Sequence, residues 1–506
     1  MYQSRVAGRV LSGFRYVAGG DAGEFAAAGL RRAKIVKPTE RTIMLLKNAI
    51  EEINGLRFVM ERLELQSGLA KRVLYTLPYL HLPEEIAREL DEVETMQEIL
   101  RDEERQGCLA KINVKLMQVK DIRGTVQRVR EAQGLEDVEL FELKVFALLV
   151  QELRDLLQQA RVSLFPLPDL EPVVDLLDPD RVRVPHFYVY DAYSPELARL
   201  RQEMKRLKQA GQDADSEQVY FRSLVVEDEI RDRLSRKLVA YGDRLSTALQ
   251  HVAKLDILLA KAKQARDMQF CKPEISKETT SYKAIFNPQV KTVLEQAGKC
   301  FQAIDIELRP GACLITGANM AGKSVLLKTV ALAQTLFQFG FYVPAQRAEV
   351  ALVDEVLLCI GDEQCELQGL SSFASEMLRV NRIMQEVKSG KKVLVLIDEL
   401  ARTTNPEEGK AIVHALLDFL SRHQVRSLIT SHYSGIRANC RRLRVRGFVK
   451  ERLPEAWTIQ RLPEYMDYAL CEDDQEQVPR EAIRIARLLG VDEELLHDAE
   501  VFLRQE

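Results

Sequence analysis

The sequence has no C-x-x-C pair among its eight cysteines and no histidine at metal-ligand spacing, which argues against a zinc site or a disulfide framework. A reducing, cytoplasmic setting fits this pattern best. No apolar run approaches the roughly 18 residues of a membrane span, so no membrane partner is expected. The opening "MYQSRVAGRVLSGFRYVAGG" is interrupted by Arg5, Arg9 and Arg15, which leaves no signal-peptide core. An Arg-rich, acid-poor start also fits an organelle transit segment, the less favoured reading. Net charge is nearly absent too: 72 basic residues against 76 acidic ones leave −4. Whole-chain charge therefore points neither toward a polyanionic partner nor away from one, and any basic surface must be local.

What is present is length and a strong pattern. The 506 residues, 46% of them hydrophobic, are enough for several domains with real cores. Residues 1–160 are expected to be a helical N-terminal region, because apolar residues recur at three and four spacing in "TIMLLKNAIEEINGLRFVMERLELQ" and "LFELKVFALLVQELRDLLQQA". Residues 161–190 are a proline-rich connector, and the aromatic "RVPHFYVYD" suggests a short strand near its end. Residues 191–272 suggest a hairpin of long helices. Ser194, Pro195 and Glu196 supply the cap, first turn and dipole partner of one helix, a run from about 222 to 268 forms the other, and "AGQDADSEQ" joins them. From 273 to 450 short β-like runs alternate with helices, the α/β pattern of a mostly parallel sheet. Residues 451–506 end in two helical stretches divided by Gly490.

Within the α/β segment, "TGANMAGKS" matches G-x-x-x-x-G-K-[ST]. Gly317, Ala318, Asn319, Met320, Ala321 and Gly322 would form a loop whose amides face phosphate at a helix N-terminus. Lys323 would meet the phosphate charge, Ser324 would ligate magnesium, and Val325 begins the next turn. The run "VLVLIDEL" ends in Asp398 and Glu399, where strand C-termini present ligands in such sheets. Asp398 would hold Mg2+ and Glu399 would act as general base on water. The plainer reading is a buried strand and a solvated acidic turn, which the upstream loop disfavours. His432, in "ITSHY", is a candidate sensor of the terminal phosphate or an ordinary packed histidine. Together these residues indicate an ATP site.

The same residues resemble the ATPases related to the mismatch-repair protein MutS. "TGANMAGKS" is similar to the family loop T-G-P-N-M-G-G-K-S, and "LIDELARTTNPEEG" to D-E-[IL]-G-R-G-T-S-x-x-[DE]-G. "TSHY" aligns with A-T-H-Y, and "GLSSFASEM" with the segment S-G-R-S-T-F-x-x-E-M. The resemblance implies an ABC-type P-loop ATPase domain, a helical core with lever helices before it, and a C-terminal segment that helps form a homodimer. It also implies that Ser371 approaches the partner's γ-phosphate and that Phe301 stacks on adenine. Without the resemblance Phe301 would be read as core packing. Ala318, Ala321, Val325, Ala401 and Thr403 depart from the family pattern, and slow but real hydrolysis is expected.

DNA, duplex or mismatched and branched, is the partner that the family resemblance implies. Several features pull away from it. The chain has no F-x-E wedge motif, and the hairpin link is too short for a clamp and carries Asp213, Asp215 and Glu217, poor groups for phosphate contact. The alternative is a short MutS-like subunit of a reactivase for an adenosylcobalamin-dependent lysine aminomutase. The segment 111–130 favours DNA, because six cations against Asp121 give it a local excess of basic charge. The competing reading of that segment is a solvated helix face balanced by neighbouring acids.

Overall fold

The computed structural model describes residues 44–164, 166–317, 321–361, 372–448, 465–473, 483, 486–487 and 490–505. Eleven helices precede the first strand among them: α1 (Leu46–Glu52), α2 (Leu56–Glu61), α3 (Gly68–Leu74), α4 (Pro83–Arg101), α5 (Glu103–Met117), α6 (Arg123–Arg130), α7 (Asp137–Gln159), α8 (Glu171–Leu177), α9 (Pro195–Gln209), α10 (Asp213–Leu238) and α11 (Gly242–Asp267). The apolar periodicity of the sequence builds their inner faces, with Leu140, Leu143, Ala147, Val150 and Leu153 buried along α7.

The hairpin differs from the sequence expectation in two ways. Ser194 does cap α9, accepting from the Leu197 amide at 3.4 Å, with Pro195 in the first turn. However, only residues 210–212 form the link, with Gly211 at φ +70. Asp213 and Asp215 belong to the first turn of α10, where the helix dipole favours acid. The run from 222 to 268 is also not one helix. A 3-10 turn, Val239–Tyr241, separates α10 from α11, and Gly242 then passes so close to α6 that a Cβ there would lie 2.8 Å from Arg130 Cγ.

The connector forms no strand at 182–190. Instead Tyr190 and the His186 carbonyl meet a buried cation. The Lys144 ammonium of α7 donates to Asp178 Oδ1 at 3.0 Å, the His186 carbonyl at 2.8 Å and Tyr190 Oη at 2.9 Å, which uses all three of its protons. Both side chains of the ion pair are fully buried. Burial raises the Asp178 pKa, but the Arg183 amide and the Lys144 ammonium outweigh it and hold the carboxyl below its ordinary range.

Two sheets follow. Strands β1 (Glu274–Ser276), β2 (Thr280–Ile285), β3 (Ile304–Leu308), β4 (Ala312–Thr316), β5 (Arg347–Ala351), β6 (Glu355–Cys359), β7 (Val393–Ile397), β8 (Arg426–Thr430), β9 (Arg441–Phe448) and β10 (Met466–Glu472) alternate with α12 (Pro288–Gln296), α13 (Lys323–Gln338), α14 (Ser372–Lys388) and α15 (Pro406–Arg422), and α16 (Glu493–Gln505) ends the chain. The smaller sheet has the order β1-β5-β2-β3 and mixed directions. The larger has the order β10-β9-β4-β8-β7-β6, parallel except for β10. The helical segment and the α/β segment share one apolar core, in which Leu46 and Leu56 join Leu332 and Phe337. The tail holds strand β10, which the sequence reading missed, and most of the first helical stretch expected there lies outside the described residues.

Replacing Lys144 by Met removes the nearer counter-ion of buried Asp178 and leaves only Arg183, 4.0 Å away, at an expected cost of up to about 3–5 kcal/mol. Because the folded Asp178 pKa is depressed, the stability it contributes is present above its unfolded pKa of about 3.9 and lost as pH falls through the folded value. Urea unfolding of wild type and Lys144→Met should therefore show a gap that closes on acidification below about pH 4. A gap that stays constant there would mean the pair contributes no charge-dependent stability.

Candidate functional site

Strand β4 is fully buried along its length and runs out at Thr316 into the candidate phosphate loop. Two glycines shape what is described of that loop. Gly317 has φ +141, and a Cβ there would meet Val445 at 3.2 Å. Gly322 has φ +75 and precedes the first residue of α13, with Tyr468 of β10 covering it closely enough that a Cβ would lie 3.1 Å from the ring. Both conformations favour glycine. Ala318, Asn319 and Met320 lie outside the described residues, as does Ser371.

Lys323 is buried, and its ammonium donates to the Gly317 carbonyl at 2.8 Å and stands 3.9 Å from Glu399 Oε1. Burial lowers its pKa, with Glu399 and Asp398 pulling the other way. Asp398 and Glu399 follow directly after β7, so sheet order places them across β8 from the loop after β4. Residues 321–325, Asp398, Glu399 and Arg402 line one cleft of about 470 Å³. The candidate lysine, hydroxyl and carboxylates thus converge, and two glycines leave room where a Cβ would intrude. This donor set fits a phosphate with a divalent cation.

Two other candidates, His432 and Phe301, are not among the residues that line the cleft. His432 is exposed, its ring stacked on Tyr433 at 4.1 Å between centroids, and it does not line the cleft. Partial burial of the ring lowers its pKa, helped by Arg402 and Lys323 and opposed by Glu399. Phe301 sits in the loop before β3, half-buried against the core and outside the cleft lining. Its neighbour Gln302 accepts from the Tyr468 amide at 3.1 Å, which brings it near the aromatic residue that covers Gly322.

Three residues without an expected role hold the acidic loop. Thr430, Glu376 and Tyr433 bond to residues 398–401: Thr430 contacts Asp398 and Glu399, Glu376 Oε2 accepts from the Ala401 amide at 3.0 Å, and the Tyr433 hydroxyl donates to the Ala401 carbonyl at 2.6 Å. The departures from the family glycines also separate. Ala401 has φ +61, a conformation that explains a glycine in the motif, whereas Thr403 shows no positive φ. The first costs strain and the second does not.

The basic segment 111–130 spans α5 and α6, and four of its six cations are ion-paired. Lys115 meets Glu152, Arg123 meets Asp121 at 2.9 Å, Arg128 meets Glu139 at 2.9 Å and Arg130 meets Asp243 at 3.2 Å. Arg72 also pairs with Asp121. The local charge excess is largely spent on the protein's own carboxylates, which supports the solvated-face reading. Among the described residues no cluster of three or more His, Cys, Asp or Glu is arranged to hold a metal, and no helix is long and apolar enough to cross a membrane.

Comparison with known proteins agrees with the geometry. Residues 313–505 match the family model described as MutS domain V. The chain is 35% identical over 215 residues to the endonuclease MutS2 of Thermus thermophilus, which covers 42% of this chain and 28% of that protein. It is 34% identical over 226 residues to the DNA mismatch repair protein MutS of Rhodopseudomonas palustris, covering 43% and 25%. It is 29% identical over 288 residues to the endonuclease MutS2 of Carboxydothermus hydrogenoformans, covering 56% and 34%. The chain thus matches about a third or less of these relatives' own length. Residues 313–505, the α/β segment that carries the cleft, thus match MutS domain V, and the similarity to MutS and MutS2 proteins extends over about two fifths of the chain.

Proposed function

We propose that the chain is an ATPase of the MutS type, a switch in which ATP binding and hydrolysis change the grip on DNA. The observation that carries this reading is the convergence of Lys323, Ser324, Asp398 and Glu399 on one cleft within the segment that matches MutS domain V. The ABC-type P-loop assignment rests on the same convergence and on the motif.

In this reading the Lys323 ammonium exchanges its bond to the Gly317 carbonyl for phosphate oxygens, and the loop amides at the head of α13 take the remaining charge. Ser324 and Asp398 would hold magnesium, which when bound would neutralise charge on the terminal phosphates. Glu399 accepts hydrogen bonds from a water and receives its proton as the water oxygen bonds to the γ-phosphorus and the bond to ADP breaks. His432 contacts the terminal phosphate, and Phe301 stacks on adenine. Two chains face each other, with Ser371 of each reaching the other's nucleotide and the C-terminal segment supporting the homodimer.

DNA as the partner follows from the relatives, which are named as mismatch repair or MutS2 proteins. The aminomutase reactivase alternative finds no support in those relatives. The pairing of four cations of 111–130 with the protein's own carboxylates argues against that segment as the DNA contact.

Glu399→Gln is expected to bind ATP normally and to lose about 100-fold or more of its turnover, the scale of a missing general base. Steady-state phosphate release alongside binding of a fluorescent ATP analogue checks this, and undiminished turnover would remove Glu399 from the chemistry. For DNA, fluorescence anisotropy of labelled linear, mismatched and branched duplexes should change with nucleotide and weaken as salt rises. ATP hydrolysis with no DNA binding at micromolar protein would overturn the DNA reading while leaving the ATPase intact.

A further inference from the structure

The strands that carry the two halves of the candidate site, β4 and β7, are not neighbours. Strand β8 lies between them, pairing Ile315 with Thr430 on one side and Ile397 with Ile429 on the other. Thr430 is therefore the last residue of the strand that separates the phosphate loop from the acidic pair, and it is fully buried.

Its hydroxyl makes two bonds in a fixed sense. Thr430 Oγ1 donates to Asp398 Oδ1 at 2.6 Å and accepts from the Glu399 amide at 2.9 Å. The second bond has a local cause. Glu399 has φ +47, so the chain leaves the line of β7 there, and the hydroxyl takes the Glu399 amide. The first bond occupies one oxygen of Asp398, while Oδ2 has no hydrogen-bond partner among the described residues. One hydroxyl thus fixes the side-chain rotation of the first acid and the backbone direction of the second. In the motif A-T-H-Y that this stretch resembles, the position of Thr430 is alanine, which has no hydroxyl to offer.

We propose that Thr430 is a positioning residue that holds Asp398 and Glu399 in their working arrangement, presenting Asp398 Oδ2 to the divalent cation and aiming Glu399 into the cleft. This deepens the ATPase reading and rests on it. Bonds of this kind, from a buried group to a metal-ligating carboxylate, typically change metal affinity or activity by about 10- to 100-fold when removed.

The test compares wild type with Thr430→Val, which keeps the shape and deletes the hydroxyl, Thr430→Ala, which fits wherever valine does not, and Thr430→Ser, which restores the hydroxyl. Hydrolysis is measured across a magnesium titration, and binding of a fluorescent ATP analogue is measured in EDTA. Expected are a half-saturating magnesium concentration raised about 10-fold and a lowered kcat in the valine and alanine variants, with recovery to within about threefold of wild type in the serine variant. Metal-free nucleotide affinity should stay unchanged in all of them. A magnesium curve and kcat like wild type's in Thr430→Ala, or a loss that serine does not recover, would overturn the proposal and leave the ATPase reading standing. Absence of magnesium-dependent hydrolysis in the wild-type chain would instead overturn both.

Discussion

The structure depends on helix α13 being held rigidly at both ends. Its head follows the candidate phosphate loop, and almost all of its side chains are buried, as expected of a helix with apolar residues all round. The far end is locked by polar bonds. The Gln338 side chain donates to the carbonyls of Leu80 and Val353 and accepts from the Tyr79 hydroxyl and the Val353 amide, all within 2.7–3.2 Å. Lys261 of α11 donates to the carbonyls of Phe339 at 3.2 Å and Gly340 at 3.0 Å, groups that a helix C-terminus leaves without partners. Gly340, at φ +68, lets the chain turn there beside α4, where a Cβ would come within 2.6 Å of Glu89. A displacement at the loop therefore meets α11 and the start of the helical region at the opposite end, with no flexible joint between.

Much of the site was legible because it is local in sequence. A strand, a glycine-rich turn and a helix head follow one another from β4 to α13, and an apolar run ends directly in Asp398 and Glu399. The parts that were not legible come from distant segments. Thr430 lies 32 residues from Asp398 in sequence, and Glu376 lies 25 from Ala401. Nothing in "ITSHY" or "FASEM" alone says which amide or carboxylate each side chain will meet. Likewise the aromatic "HFYVY" has the composition of a strand, but Lys144, on a helix far upstream, claims its carbonyl and hydroxyl.

The segment 111–130 carries the same lesson for charge. A count within a window sees cations and misses carboxylates delivered by tertiary packing. Glu152 lies on α7 and Asp243 on α11, and each neutralises a residue that looked available for phosphate. Helix boundaries failed for a related reason: the break between α10 and α11 is set by the approach of α6 to Gly242, which no periodicity encodes.

The central claim is that nucleotide binds in the cleft between the head of α13 and the turn after β7. Hydrogen–deuterium exchange with and without magnesium and ATP tests it most directly, because the affected amides can be assigned to segments. The account expects slowed exchange at residues 321–325 and 398–402. Nucleotide binding that protects other segments and leaves both of these unchanged would contradict it.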